Sequence, residues 1–85
     1  MSARHLVVLS RPDCELCHEL LGLLAPHAAA GAVTLELRDL DEQPLAVRER
    51  QLWRIPVVLE GDVELMWGRI DAAEVERLLG PAPAR

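Results

Sequence analysis

The sequence contains no Lys, Tyr or Phe, and its only aromatic residues are Trp53 and Trp67. Proteins that bind single-stranded nucleic acid stack the bases on aromatic side chains, and this chain offers almost none. A phosphate-binding surface needs a basic patch, whereas these 85 residues carry a net charge of −5 and no basic stretch. We therefore expect no nucleic acid partner.

The sequence also lacks long apolar runs. The longest of them, such as Leu6–Leu9, have four residues, whereas a helix that spans a membrane needs roughly 20. We therefore expect no membrane insertion. The stretch Met1–His5 has no apolar segment long enough for a signal peptide, which predicts a cytoplasmic location.

The length and composition fit one folded domain, over residues 1–80, with a flexible C-terminal tail at 81–85. Apolar periodicity in this domain predicts four strands, at about His5–Ser10, Val33–Arg38, Ile55–Leu59 and Val63–Trp67. It also predicts three helices. The first runs from about Glu15 to Ala30, with Pro26 breaking or kinking it; the second runs from about Glu42 to Gln51, capped by Asp41; the third runs from the cap Asp71 to Gly80.

The burial pattern of the strands predicts their order in the sheet. The first and third strands are apolar throughout and belong in the interior, whereas the second and fourth alternate and belong at the edges. A helix joins the first two strands, so they should be parallel, and a tight turn makes the last two antiparallel. The predicted fold is an α/β domain of order β-α-β-α-β-β-α, with a four-stranded mixed sheet of order 2-1-3-4 and helices on both faces.

The only two cysteines, Cys14 and Cys17, lie between the first strand and the first helix. Cysteines three residues apart at a helix start lie on one face, within reach of a disulfide. The free N–H groups at the helix N-terminus favour the thiolate, which is the nucleophile in disulfide exchange. The pattern therefore predicts a redox-active pair in which Cys14 is the nucleophile and Cys17 the resolving thiol.

Three other interpretations use the same residues and stay open at this point. Cys14–His18 also fits the C-x-x-C-H signature of covalent haem attachment, with Met66 as a candidate axial ligand. A zinc ion would need further ligands, for which His5 and His27 are the candidates. Both cysteines would simply pack in the core in the third interpretation. A structural disulfide is not expected to persist in the cytoplasm.

Three segments of the chain resemble the glutaredoxin-like branch of the thioredoxin superfamily, in particular its small bacterial members. They are Val8–Cys17, Ile55–Pro56 and Trp67–Asp71, and the resemblance runs from Leu6 to Leu79. It implies the thioredoxin-like fold and thiol–disulfide oxidoreductase activity. It also implies a cis Ile55–Pro56 bond facing the cysteines, where the backbone of Ile55 pairs with a bound peptide or glutathione.

The same resemblance implies further substrate-binding residues. Arg11 matches a basic residue that glutaredoxins carry three positions before the first cysteine, where it would assist the thiolate or contact a substrate carboxylate. Trp67, Gly68 and Asp71 correspond to the segment that holds the γ-glutamyl end of glutathione. Each also has a structural interpretation: Arg11 as a solvated loop residue, Asp71 as a helix cap and Trp67 as an edge-strand aromatic.

Several residues depart from the glutaredoxin pattern. Glu15 and Leu16 stand where glutaredoxins have Pro-Tyr, Arg54 replaces a Thr, and Trp67 replaces the first glycine of a pair. Two hypotheses follow: an oxidoreductase acting on disulfide-containing proteins or glutathione mixed disulfides, and a non-catalytic thioredoxin-fold module that binds proteins. No bound cofactor is expected, glutathione is the candidate co-substrate, and we expect a monomer.

Overall fold

The structure, a computed structural model, describes residues 3–83. Four strands and three helices follow one another in the predicted order. The strands are β1 (Arg4–Ser10), β2 (Val33–Asp39), β3 (Val57–Glu60) and β4 (Val63–Trp67). The helices are α1 (Glu15–Ala29), α2 (Leu45–Gln51) and α3 (Ala72–Leu79), and a 3-10 turn spans Leu40–Glu42. Of the tail predicted at 81–85, the last two residues lie outside the described residues.

The strands form one mixed sheet in the order β2-β1-β3-β4, which confirms the predicted arrangement. β1 runs parallel to β2, from Arg4 beside Val33 to Ser10 beside Asp39. It runs antiparallel to β3, with Leu9 beside Val57, and β3 and β4 form an antiparallel hairpin. The continuous apolar run of β1 takes an interior place because both of its faces are buried.

Helices cover both faces of the sheet. On one face, α1 and α3 pack against the sheet in a core formed by Leu6, Val8, Leu20, Leu24, Val33, Val58, Ile70 and Val75. Side chains alternate along a strand, so Val7 and Leu9 point to the opposite face, where they are buried too. Leu40 in the 3-10 turn and Gln51 at the end of α2 are buried as well.

Arg4 connects the start of β1 to β3 and α3. Its Nε and Nη2 donate to the two carboxylate oxygens of Glu60 at 2.9 and 2.8 Å. Its Nη1 donates to the carbonyl oxygen of Leu78 at 3.1 Å. The hydrogen bond from Arg4 lowers the pKa of the Glu60 carboxyl, which keeps the pair ionised at neutral pH.

Of the break or kink predicted at Pro26, the break is absent, because α1 continues through Pro26 to Ala29, one residue short of the predicted end at Ala30. A proline in a helix deprives the carbonyl four residues earlier of its donor, and here that residue is Gly22. Gly22 and Pro26 are both on the exposed side of α1, where water can hydrogen-bond the carbonyl. On the other side of α1, the buried side chains of Leu20 and Leu24 stabilise the helix by packing in the core. No helix in the described part of the chain is long and apolar enough to cross a bilayer.

The second helix begins at Leu45, three residues later than predicted. Pro44 explains the delay, because the residue before a proline avoids the helical conformation. Leu40–Glu42 forms the 3-10 turn instead. Its cap is Asp39, whose carboxylate accepts from the Asp41 amide at 2.9 Å, so the predicted capping by Asp41 is also wrong.

The alternation expected in the two edge strands is only partly present. A β-bulge beside Val58 shifts the pairing of β4, so that the adjacent Leu65 and Met66 both pack against the core. Val63 and Trp67, at the two ends of β4, are exposed. In β2, Leu37 is exposed near the end of the strand, where it lines a shallow hollow.

Candidate functional site

The two cysteines form a disulfide across the first turn of α1, with their Cα atoms 5.2 Å apart. Cys14 is the N-cap, and its Sγ accepts a hydrogen bond from the backbone N–H of Cys17 at 3.2 Å. Cys14 is half-buried, whereas Cys17 is completely buried. Cys14 is therefore the more exposed of the two residues.

A short loop after β1 places Cys14 at this position. The Cys14 amide donates to the carbonyl oxygen of Arg11 at 3.2 Å, which closes a turn through Pro12 and Asp13. The Cys14 carbonyl then accepts from His18 at 3.1 Å, the first hydrogen bond of α1. Fixed on both sides, Cys14 holds its sulfur at the positive end of the helix dipole.

The start of β3 lies at the same end of the sheet as this loop. Leu9 pairs with Val57, so Ser10 and Pro56, the next residues outward on the two strands, also lie side by side. The Ile55–Pro56 bond is cis, which confirms the expectation from the resemblance, and Pro56 is fully buried. β3 begins at Val57 rather than at Ile55, because proline has no N–H to donate to the sheet.

Gly68 joins the segment around Pro56 to the end of β4. Its N–H points to the carbonyl oxygens of both Arg54 and Pro56, each at 2.9 Å. Its φ of 77° lies in the left-handed region, which favours glycine there. The structure thus brings Ile55, Pro56, Trp67 and Gly68 together, as the resemblance implies.

Arg54, which replaces the glutaredoxin Thr, contacts Trp67 and Glu64. Its guanidinium carbon lies 4.6 Å from the centroid of the Trp67 ring, a cation–π contact. It also forms an ion pair with Glu64, whose other carboxylate oxygen accepts from the buried Gln51 amide at 2.9 Å. The hydrogen bond from Gln51, together with the charge of Arg54, lowers the pKa of Glu64.

Arg11 points to the other side of the cysteine loop. Its Nε lies 3.3 Å from a carboxylate oxygen of Asp41, in the 3-10 turn after β2. Beside this ion pair lies the shallow hollow, lined by Ser10, Arg11, Pro12, His18, Leu21, Leu37, Asp39 and Glu42. Asp41 therefore offsets part of the charge that Arg11 would offer to Cys14. No periodic pattern marks Asp41 as this partner, since the two residues are far apart in sequence.

Asp71 is the N-cap of α3. Its Oδ1 accepts from the Glu74 amide at 2.9 Å, which confirms the predicted cap. The residue is exposed and follows the buried Ile70, so its second carboxylate oxygen remains accessible to solvent. Its part in substrate binding stays a prediction.

The positions of the cysteines and histidines test two of the other interpretations, a zinc site and cysteines that only pack in the core. His27 follows Cys17 by ten helical residues, about 15 Å along α1, and His5 lies at the opposite end of β1 from the cysteines. Neither can join the cysteines around one ion within a single chain, and residues 3–83 contain no cluster of three or more His, Cys, Asp or Glu suited to a metal. Cys17 packs in the interior, but Cys14 reaches the surface.

Comparison with known proteins agrees with this geometry. The model of the glutaredoxin-like domain (DUF836) matches residues 5–80. A similar solved structure is the X-ray structure of the Northeast Structural Genomics target protein XcR50 from X. campestris. It is 30% identical, has a TM-score of 0.67, and the match covers 92% of this chain and 99% of that chain. No curated protein matches the sequence significantly. With its Cys14–Cys17 pair, thioredoxin-like sheet and cis-Pro56, the chain belongs to the glutaredoxin-like family.

Proposed function

We propose that this protein is a thiol–disulfide oxidoreductase whose Cys14–Cys17 dithiol exchanges with disulfides of proteins or with glutathione mixed disulfides. The observation that carries the proposal is the unequal burial of two cysteines within bonding distance. One sulfur is accessible at a helix N-terminus, and the other is shielded one turn further on. This asymmetry gives the two thiols different tasks.

The reaction proceeds in two exchanges. The Cys14 thiolate attacks one sulfur of the substrate disulfide; a Cys14–substrate bond forms, and the other substrate sulfur leaves as a thiolate that takes up a proton. Cys17 then loses its proton and attacks Sγ of Cys14, which releases the second substrate sulfur as a thiol. Two electrons have moved from the dithiol to the substrate, and the protein ends with the Cys14–Cys17 disulfide. A thiol reductant, such as glutathione, reverses these steps.

The backbone around Cys14 supports the first exchange. The Cys17 N–H already donates to Sγ of Cys14, and a thiolate would accept this bond more strongly than a disulfide sulfur does. Glu15, exposed directly after Cys14, opposes the negative charge. We therefore expect an activated but moderate nucleophile.

The substrate would lie across the segment that faces the cysteines. We assign Ile55 and Pro56 to the floor of this groove, Trp67 and Gly68 to one wall, and Asp71 to its rim, because the Gly68 N–H donates to the carbonyl oxygens of Arg54 and Pro56 and so holds the end of β4 against the start of β3. Arg11, on the other side of the cysteine loop, would meet a substrate carboxylate only in competition with Asp41. We place the reaction in the cytoplasm, where thiol reductants are abundant.

The exchange is tested with pre-reduced protein and a small disulfide, bis(2-hydroxyethyl) disulfide, in single turnover. Cys14→Ser should abolish the reaction. Cys17→Ser should stop at the mixed disulfide, which mass spectrometry detects as an adduct on Cys14. Val63→Ala, an exposed change at the far end of β4, serves as the control.

Wild-type protein that reacts no faster than free cysteine would contradict the proposal. The non-catalytic binding module would then remain, an alternative favoured by the acidic Glu15 beside Cys14 and by the Arg54–Trp67 contact in place of the usual small residues. The same assay with a glutathione mixed disulfide decides whether glutathione is a co-substrate.

A further inference from the structure

Both aromatic side chains of this protein are exposed beside cis-Pro56. Trp53 precedes Pro56 by three residues and is 89% exposed. Trp67 pairs with Val57 in the β3–β4 hairpin and is 54% exposed. An aromatic side chain normally buries about 150–250 Å², yet the core of this domain is built without any. Exposed tryptophan with arginine nearby is the composition of the energetic centre of a protein interface.

Arginines surround the two tryptophans. Arg54 lies over the ring of Trp67, and Arg50 is close enough to Glu64 to help lower the pKa of its carboxyl. Within residues 3–83, Arg50 forms no ion pair. Arg50 and Trp53 are three residues apart around the end of α2, so their side chains lie on the same side of it. Arg48 comes two residues before Arg50 and lies on a different side of the helix, where its Nε donates to the carbonyl oxygen of Gln43 at 3.0 Å. We call the surface formed by Arg50, Trp53 and Trp67 the α2 rim.

The charge of this surface is opposite to that of the protein. Residues 45–56 contain three arginines and one acidic residue, Glu49, and even with Arg54 paired to Glu64 this region has an excess of positive charge, whereas the whole chain has a net charge of −5. A basic and apolar surface on an acidic protein complements an acidic and apolar partner, and it repels a second basic surface. The rim also directly adjoins the groove at Ile55 and Pro56.

We propose that the α2 rim docks an extended segment of a substrate protein, with apolar residues beside the reactive cysteine and acidic residues further along. This inference rests on the proposed function, because it names the substrate class of the same exchange. Trp53 and Trp67 contact the apolar residues, and Arg50 contacts the acidic ones. Glu15 repels acidic residues next to the reacting sulfur, so they lie at a distance from it.

Short synthetic peptides test this assignment. Each has one cysteine, held as a mixed disulfide with 2-thiopyridine, and release of the thiopyridone follows attack by Cys14 of the pre-reduced protein. The first peptide has leucines beside the cysteine and aspartates at one end. Lysines replace the aspartates in the second, and serines replace the leucines in the third. The small disulfide bis(2-hydroxyethyl) disulfide reports the exchange without docking.

We expect the leucine–aspartate peptide to react about tenfold faster than either of the others. A factor of this size is typical of one interface residue that contributes measurably to binding. Trp53→Ala should remove most of this preference. Because Trp53 is exposed, the variant should fold as the wild type does, which circular dichroism checks. Arg50→Glu should shift the preference toward the lysine peptide. Val63→Ala, which removes an exposed apolar side chain outside the rim, should retain the wild-type pattern. All variants should react with the small disulfide at the wild-type rate.

Two results would overturn the inference and leave the proposed function intact. One is equal rates for the three peptides while the small disulfide reacts normally. The other is a dimer in sedimentation velocity that Trp53→Ala converts to monomer, because a second copy of the chain would then occupy the rim. Loss of reaction with every disulfide, the small one included, would instead refute the proposed function together with the inference.

Discussion

Replacing Asp71 separates its structural role from any role in the exchange reaction. Its carboxylate accepts the Glu74 amide hydrogen bond that begins α3, the helix that buries Val75 against the core. Asp71→Ala removes this acceptor. Loss of an N-cap side chain costs about 1 kcal/mol, which in a domain of this size lowers Tm by about 4–8 °C.

Asp71→Asn keeps an oxygen acceptor and removes only the charge. An exposed carboxylate at a helix N-terminus stabilises by about 0.3–1 kcal/mol, and salt screens this effect. The asparagine variant should therefore retain more stability than the alanine variant, and the difference should persist at high salt because it comes from the hydrogen bond. Thermal unfolding followed by circular dichroism measures both variants at low and high salt.

Glu76→Ala is the matched control, since Glu76 is exposed on the same helix and makes no cap. It should change the free energy of unfolding by less than about 0.5 kcal/mol. If Asp71→Ala were as stable as the wild type, or if the asparagine and alanine variants lost equal stability, the capping argument would be refuted. Glu76→Ala should keep the wild-type reaction with bis(2-hydroxyethyl) disulfide, because it lies outside the proposed groove and away from Cys14 and Cys17.

Two further predictions concern stability. The lowered pKa of Glu64 means that its ionised form stabilises the folded state above the ordinary value of 4.5, and this contribution is lost as the pH falls through the lowered value. Glu64→Gln should therefore be less sensitive than the wild type to a fall from about pH 7 to about pH 3 in urea unfolding; equal sensitivity would contradict the assignment. Leu24→Ala in the fully buried core should cost about 2–5 kcal/mol. Leu37→Ala, at a site 57% exposed, should cost less than about 0.5 kcal/mol, and a comparable loss in both would contradict the burial pattern.

The strand order was predictable because an interior strand, buried on both faces, is apolar at every position. Leu6–Leu9 is apolar at every position, and only an interior strand has both faces buried. The edge strands were harder. The β-bulge in β4 shifts the strand pairing by one residue, and no residue in the sequence signals it. The alternation of apolar and polar residues therefore did not predict that Trp67 is exposed.

Proline was the main source of local error. At Pro44 its effect on the preceding residue was underestimated, and at Pro26 its effect on the helix was overestimated. The difference lies in packing, since α1 has buried leucines on one side and solvent on the other at Pro26. A rule based on the proline alone does not contain that information.

The position of the cysteine pair was predictable because it depends on a local junction of strand and helix. The cis bond at Pro56 came only from the family resemblance. The ion pairs of Arg11 with Asp41 and of Arg54 with Glu64 had no sequence signal, since charged residues are common on any surface and long-range pairs show no period.

The location of the two tryptophans determines what the intrinsic fluorescence of this protein reports. With one indole almost fully in water and the other half in water, unfolding changes their surroundings little, so emission is a poor measure of folding. Both indoles stand beside the cis-proline segment, so a shift in emission on addition of a compound signals an event at that segment. The protein therefore carries a built-in, label-free reporter of its substrate face.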